Sequence, residues 1–301
     1  MGVPVIAVVP AWNGRRWIGR CLASLIATDH PGLEIIVVDN GSQDDTAGEV
    51  ARLFPQVTLL RKSRNLGFAE GSNVGIRTAL RRGASYVAVI NQDAWADPGW
   101  LSALLAAAEA DPTIAVLTPE QYDYEGREFD PAFAVLMRGR AHQAGFVETD
   151  AIIGAAILLR RTMLERVGLF DPLYVAYFEE ADLCRRARRA GFRTGVVPGS
   201  RVYHWHALAH PGQMSSRASY LSFRNQFVYE LKDPVRTGAA NLAAWLALCG
   251  REIARCLRHP RGSRGGLIRA AALGVSQAWV IANLPRILEH RAVERRGAAY
   301  L

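Results

Sequence analysis

Residues 177–186 read YFEEADLCRR and place three carboxylates, Glu179, Glu180 and Asp182, within four residues. A carboxylate held against its substrate can take a proton from a hydroxyl as a general base. The same acids also suit the first turn of a helix, where the backbone dipole favours negative charge. On a helix beginning near Glu179, Glu179 and Asp182 stand at i and i+3 and share a face. Glu180 then points about a quarter-turn away. Locally both uses, dipole partner and proton acceptor, stay open.

Other clusters carry chemical potential. VVDNGSQDDT ends an apolar run on Asp39 and Asn40, followed by a glycine turn and residues suited to cap a helix. Turn punctuation accounts for Gly41, Ser42 and Asp44 better than for Asp39, because a carboxylate ending an apolar strand needs partners. An acceptor-only group there matches the N3–H of a bound uracil or thymine. VINQDAWADP repeats the situation with Asn91 and Asp93, which lie on one side if the chain stays extended. Asp93 is the kind of oxygen ligand taken by a hard divalent cation that bridges two phosphate oxygens. The competing reading is a polar strand end. RNLGFAEGSNVG has neither GxGxxG nor Walker spacing. Its glycines, Gly67, Gly71 and Gly75, serve either backbone approach to a ligand or close helix–sheet packing. VYHWHALAH offers His204, His206 and His210. The first two share a face in a strand and either can reach a metal, although no HExxH spacing accompanies them.

Periodicity defines the elements that must position these groups. VPVIAVVP, LEIIVVDN, QVTLLRK and SYVAVINQD read as four strands. Between them lie RRWIGRCLASLIA, with Ile18, Leu22, Leu25 and Ile26 on one helical face, a helix through Val50 and Leu53, and FAEGSNVGIRTALRRG closed by Gly83. Alternating strands and helices imply a mostly parallel sheet covered on both faces. Ligands of such sheets bind beyond the carboxyl ends of the strands, where PAWN, DNGSQDD, KSRNLG and NQD all fall. Residues 120–149 read as a long irregular excursion of the kind that carries specificity. AIIGAAILLRR returns to buried character, and FRTGVVP and SRVYHWHA are extended. Two helical segments follow Pro234. The first has an apolar stripe of Leu242, Trp245, Leu246, Cys249, Ile253 and Leu257. The second lacks charge between Arg269 and Arg286, yet falls short of a membrane span and contains Ser276, Gln277 and Asn283. Both read as packed or interfacial helices.

Composition sets the outer limits. The 301 residues are 50% hydrophobic and 21% charged, a globular rather than a disordered balance. Four cysteines without a CxxC pair exclude a zinc framework and a disulfide scaffold, and suit a reducing compartment. No basic segment precedes the first apolar run, which therefore reads as a strand and not as a secretory signal. Net charge is +8, and from Arg251 onward ten arginines face three glutamates, which leaves the first 250 residues nearly neutral. A basic tail points to a localised anionic partner. Aromatic–basic interleaving of the RNA-binding kind is missing, so a membrane surface or phosphorylated lipid is expected rather than nucleic acid.

Taken in order, several strings resemble the inverting family-2 glycosyltransferases of the GT-A fold, in their bacterial rhamnosyltransferase-like branch. They are PAWNG with CLASL, VVDNGSQDDT, NLGFAEGSNVG, NQD followed by DPGWL, and GAAILLRRTMLERVGLFDPLYVAYFEEADLCRRARRAGF. YHWHA and SFRNQF complete a set spanning residues 3–232, and the tail matches only loosely. The resemblance implies an α/β GT-A (nucleotide-diphospho-sugar transferase) fold, with a mostly parallel central sheet flanked by helices and a C-terminal helical extension. Residues 1–233 would form the catalytic domain, with a nucleotide-binding half over 1–98 and an acceptor half over 99–233. Residues 234–301 would form a basic amphipathic tail.

The resemblance also implies roles. Pro10 and Asn13 border the nucleotide, Asp39 accepts from the pyrimidine N3–H with Asn40 beside it, and Asn65, Gly67 and Asn73 line the donor pocket. Asp93 takes the place of the metal-binding aspartate of the family's DxD motif. Asn91 stands where the first acid would be and hydrogen-bonds the donor sugar or ribose, and Gln92 replaces a proline common in this branch. His204 matches a downstream histidine that completes the coordination of Mg²⁺ or Mn²⁺. The base falls at the second position of the family's Glu-Asp motif, here Glu180, with Asp182 in reserve.

The expected protein is a cytoplasmic, metal-dependent, inverting glycosyltransferase. It would extend a lipid-linked or cell-envelope glycan from a nucleotide sugar, dTDP-rhamnose being the expected donor, with peripheral attachment to the inner face of the cell membrane through its tail. The competing class is a catalytically degenerate glycan- or nucleotide-binding relative, to which Asn91 and Glu180 point as departures from the strictest motifs. Transfer that requires Asp93 and Glu180 separates the two. A nicotinamide oxidoreductase is excluded because the first βα turn, VVPAWNGRRW, has no GxGxxG.

Overall fold

The computed structural model describes residues 2–140, 145–205, 216–258 and 264–297. The four apolar runs form β1 (Val5–Ala11), β2 (Glu34–Asp39), β3 (Thr58–Arg61) and β4 (Tyr86–Ile90), linked by α1 (Arg15–Ile26), α2 (Thr46–Leu53) and α3 (Phe68–Arg81). They pair in parallel in the order β3-β2-β1-β4. Strands buried on both faces can be continuously apolar, and β1 and β4 are buried throughout. Register sets Ala11 beside Asp39 and Asp39 beside Arg61, so the loops leaving these strands gather at one edge. Helix α1 buries Ile18, Cys21, Leu22 and Leu25, while Ile26, expected inside, is 44% exposed. Gly75 of α3 lies so near β1 that a Cβ would meet Val8 Cγ1 at 2.2 Å. Its purpose is therefore close helix–sheet packing.

Past β4 the sheet becomes mixed. The next elements are β5 (Ala94–Ala96), α4 (Trp100–Ala110), β6 (Ile114–Asp123), α5 (Pro131–Leu136), β7 (Val147–Glu148), β8 (Ala156–Arg160), α6 (Arg161–Val167), α7 (Glu179–Arg189) and β9 (Arg193–His204). β8 runs antiparallel to β4 and β6, whereas β9 is parallel to β6 and antiparallel to β5. The fourth strand stops earlier than expected. Residues 91–93 form a turn in which Ala94 N–H donates to the Asn91 carbonyl at 3.1 Å. That turn is too short for a parallel crossover, so β5 pairs with the far end of β9 instead.

The described residues of the 120–149 stretch are more ordered than their composition suggests. β6 continues to Asp123, Asp130 caps α5 by accepting from Ala132 and Phe133 N–H, and β7 pairs with β9. FRTGVVP and SRVYHWHA prove to be one strand, β9, with a register shift at Pro119 and Glu120 of its partner. His206 and His210 lie outside the described residues.

After α8 (Ser216–Lys232), three helices rather than two follow Pro234: α9 (Gly238–Arg258), α10 (Arg264–Ala282) and α11 (Leu284–Arg295). The second predicted segment breaks at Asn283, which caps α11 with a proline in its first turn. These helices are packed. Leu231, Leu248, Leu273, Val280 and Ile287 share a core with Leu173 and Tyr174, just ahead of α7. Of the predicted stripe on α9, Leu242, Leu246 and Ile253 face outward, and Asn241, Leu248 and Glu252 are buried instead. The side chain of Leu257 lies outside the described residues. Among the described residues no helix is long and apolar enough to cross a membrane.

Candidate active site

The common edge of β1–β4 opens into a cavity of about 360 Å³, within the usual range for a small-ligand site. Of the residues singled out from sequence, Pro10, Asn40, Asn65, Gly67, Asn91 and Asp93 line it. The end of β1 adds Trp12, the segment before α7 adds Val175, Ala176 and Tyr177, and α8 adds Arg217.

Several of the other expected residues build the walls from behind. Asn13, with φ 47°, accepts from Gln43 N–H at 2.8 Å and donates its own N–H to Ser42 Oγ at 2.9 Å. Asp39 is 4% exposed and accepts from Ser42 N–H at 3.2 Å. Both therefore brace the Gly41 turn. Asn40 accepts from Leu66 N–H at 3.0 Å and donates to the Gly67 carbonyl at 2.9 Å, which fixes the loop entering α3. Gly67 has φ 84°, and a Cβ on it would meet Val175 Cγ1 at 2.7 Å, so this position admits no side chain. Asn73 is a correction. It is buried, donates to the Phe170 carbonyl at 2.8 Å and accepts from Phe170 N–H at 3.1 Å. Its amide bolts α3 to the segment leading to α7 and does not face the cavity.

Trp12 and Gln92 escaped the sequence reading although PAWN and NQD were both singled out. Gln92 accepts from Trp12 N–H at 2.9 Å and donates to the Trp12 carbonyl at 3.0 Å. That clasp holds an indole 46% exposed at the cavity wall, a flat apolar face available for stacking.

The β5–β9 pairing explains how residues distant in sequence meet. It sets Ala94 opposite His204, and Trp205 N–H donates to the Asp93 carbonyl at 3.0 Å. His204 Nε2 then lies 3.5 Å from Asp93 Oδ1 and 3.3 Å from Asn91 Nδ2. Burial works to lower the imidazole pKa, but the hydrogen bond and charge of Asp93 outweigh it and hold the value above the ordinary range. Asn91 Oδ1 is buried without a hydrogen-bond partner. A carboxylate, an imidazole and an idle amide oxygen form a donor set suited to a divalent cation. Among the described residues no three of His, Cys, Asp or Glu gather. The protein thus offers part of a coordination sphere, as suits an ion that also binds diphosphate oxygens and water.

Just after the cavity-lining Val175, Ala176 and Tyr177, α7 begins at Glu179 with its acids in the first turn and arginines in the last, as the helix dipole favours. Its three acids have different fates. Glu179 is buried, and burial, together with the neighbouring Glu180 charge, pushes its carboxyl well up. Asp182 has no exposure. It accepts from Arg186 Nε at 2.8 Å and from the Tyr174 hydroxyl at 3.1 Å, and pairs with Lys232 at 2.8 Å. Burial would raise its pKa, but Lys232, Arg186 and Arg185 hold it far below the carboxylate range. An acid so firmly ionised and enclosed makes a poor base, which removes Asp182 from reserve. Glu180 differs. Its Oε2, like that of Glu179, has no hydrogen-bond partner, but burial pushes its carboxyl up only to about 7, against backbone N–H groups that pull it down.

The segment between cavity and α7 is strained. Val175, Tyr177 and Phe178 have φ of 65°, 71° and 71°, conformations that non-glycine residues rarely hold. Helix α8 over-determines them. Asn225 Nδ2 lies 2.6 Å from the carbonyls of Tyr174 and Ala176 and 2.7 Å from that of Tyr177. Arg224 donates to the Leu173 and Tyr174 carbonyls at 2.9 and 2.6 Å. The string SFRNQF thus acquires a task that spacing alone did not disclose.

A cavity at the edge of a parallel sheet, with Asp93 in its wall and His204 3.5 Å from that carboxylate, is the layout of the GT-A nucleotide-sugar transferases. The sequence profile of glycosyl transferase family 2 matches residues 6–168. The chain belongs to that family and is a glycosyltransferase. It is 29% identical over 264 residues to an N-acetylglucosaminyl-diphospho-decaprenol L-rhamnosyltransferase of Mycobacterium tuberculosis, covering 75% of this chain and 82% of the relative. Its fold is similar to that of S. aureus TarS residues 1–349 in complex with UDP-GlcNAc, with TM-score 0.60, 18% identity, and coverage of 99% and 93%. The mannosyltransferase PcManGT of Pyrobaculum calidifontis, in complex with GDP-Man and Mn²⁺, gives TM-score 0.58, 20% identity, and coverage of 97% and 86%.

Proposed function

We propose that the chain transfers a hexose, with L-rhamnose from dTDP-rhamnose the expected case, to a hydroxyl of a lipid-linked saccharide, with inversion at the anomeric carbon. Similarity to the mycobacterial rhamnosyltransferase supports the sugar and the acceptor class. The observation that carries the mechanism is Glu180, whose carboxylate oxygen has no partner and whose pKa sits near 7. Such a group takes the acceptor proton at neutral pH as the hydroxyl oxygen attacks. The bond from the anomeric carbon to the diphosphate breaks, and the leaving group departs with the electron pair on the opposite side.

Asp93 and His204, with the Asn91 amide oxygen, would hold Mg²⁺ or Mn²⁺, which supplies Lewis-acid stabilisation of the departing diphosphate. The remaining positioning belongs to the chain. The Asn40-braced loop with Asn65 and Gly67 receives the pyrimidine and ribose, Asp39 braces the turn behind it, and Trp12 stacks on the base. A lipid-linked acceptor would place this work at the inner face of the cell membrane.

Asp93→Asn should lower transfer by ~10²-fold or more, the usual size of losing one electrostatic stabiliser of a leaving group. EDTA should do the same to the native protein, with activity restored by Mg²⁺ or Mn²⁺. Native rates in both cases would remove the cation from the mechanism. Trp12→Ala should weaken donor-nucleotide binding while leaving unfolding unchanged, since base–aromatic stacking is worth ~1–3 kcal/mol. Calorimetric titration with the nucleoside diphosphate reads this, and an unaltered affinity would place the base elsewhere.

A further inference from the structure

Large exposed apolar side chains concentrate on the C-terminal helices. On α9 the outward residues include Leu242, Leu246 and Ile253, 48–55% exposed, and on α10 they include Val275 and Ile281, 58% and 62% exposed. Between them lie alanines and glycines, and every exposed residue of α10 from 270 to 282 is apolar. Both helices seat their other faces on α8. Leu248, Leu273 and Val280 join the core with Phe227, and Ser276 Oγ donates to the Tyr220 carbonyl at 3.0 Å. The two exposed faces therefore form one surface turned away from α8.

Its border is cationic. Arg251 and Arg255 of α9 and Arg286 of α11 are exposed. Of the acids in this region, Glu252 is 1% exposed and paired with Arg255 and Arg269, and Glu294 is buried against Lys232. Only Glu289, among the described residues from 251 onward, presents an exposed carboxylate. Burying the acids and displaying the arginines gives the outer face a positive surplus.

We propose that the paired outer faces of α9 and α10 form an interfacial docking surface for an anionic bilayer. Aliphatic side chains enter the headgroup boundary and the bordering arginines engage lipid phosphates. Between occupants, an aliphatic surface accompanied by exposed arginines, with the described acids of the region buried except Glu289, complements an anionic lipid surface. No described helix spans a membrane, so the contact is parallel to the surface.

Flotation of the full chain with vesicles of phosphatidylglycerol and phosphatidylcholine tests this without any donor, so its outcome is separate from glycosyl transfer. The native protein should float with these vesicles at low salt and much less with phosphatidylcholine alone. Leu246→Gln/Ile253→Gln/Val275→Gln, all at exposed positions, should lower the bound fraction about tenfold or more. Arg251→Gln/Arg286→Gln should abolish the preference for anionic vesicles while leaving the core untouched. A native protein that stays at the bottom of the gradient, or a triple variant that floats equally well, overturns the proposal. So does a vesicle-free dimer that the triple variant converts to monomer, because the face would then belong to a second copy.

Discussion

Glu180→Gln is expected to bind donor like the native protein and to transfer ~10²–10⁴-fold more slowly, the range of general-base assistance. Glutamine keeps the shape of the side chain and cannot accept the proton. In the native protein the rate should rise with pH through about 7, as the Glu180 carboxyl ionises. The same shift makes a stability claim. The folded state holds this proton more tightly than the unfolded chain, whose carboxyl has the ordinary value of about 4.5. Stability is therefore fully present below that value and declines as pH rises through about 7. Glu180→Gln removes the decline, so at pH 8 the inactive variant should unfold at a higher temperature than the native protein. Rapid-quench transfer, donor titration and thermal unfolding read the three parts. Full transfer by this variant would mean that another group takes the proton.

Lys232→Met should cost about 3–5 kcal/mol of stability, the usual penalty for removing one partner of a buried ion pair. The Lys232 side chain has no exposure and sits between Asp171, Asp182 at 2.8 Å and Glu294 at 2.7 Å. Burial works to lower its pKa, but the surrounding carboxylates hold it well above the ordinary lysine value. Arg185 and Arg186 remain to neutralise Asp182, whereas Asp171 is left, among the described residues, with His290 Nδ1 at 2.9 Å. Because Asp171 precedes the strained segment and Glu294 belongs to α11, the loss should loosen the tail from the catalytic helix. Denaturant unfolding should show a lower midpoint, partly recovered by adding Glu294→Gln, which removes one of the carboxylates that faced the lysine. An unchanged midpoint would mean that the cluster is not held by the lysine.

These two residues show where sequence reasoning reaches its limit. Strands β1–β4 and the polar strings at their ends were legible because apolar periodicity and turn chemistry are local properties. The choice between Glu180 and Asp182 was not. The two acids share one helical turn, and Asp182 is set apart by Arg185 and Arg186 together with Lys232, folded back from far along the chain. Asn40 and Asn73 were likewise indistinguishable by type, yet one faces the cavity and the other holds Phe170. The approach of His204 to Asp93 depends on the β5–β9 pairing, a three-residue strand too short to announce itself. On α9 the apolar stripe was legible, but whether it packed inward or faced an interface was open, and Leu242, Leu246 and Ile253 face outward. Asn241 and Glu252 occupy the interior because they find partners there: Asn241 donates to the Leu231 carbonyl at 2.9 Å and Glu252 pairs with Arg269 at 2.9 Å.

The account rests on a pyrimidine nucleotide sugar entering the β1–β4 edge and reacting there with a divalent cation present. The most direct measurement is release of nucleoside diphosphate from a panel of nucleotide sugars, with Mg²⁺ or Mn²⁺, with and without a polyprenyl-diphosphate saccharide. We predict that a thymidine or uridine diphosphate sugar is consumed, faster with the acceptor, and that EDTA stops it. Consumption of a purine-nucleotide sugar alone, or of none, would contradict the account.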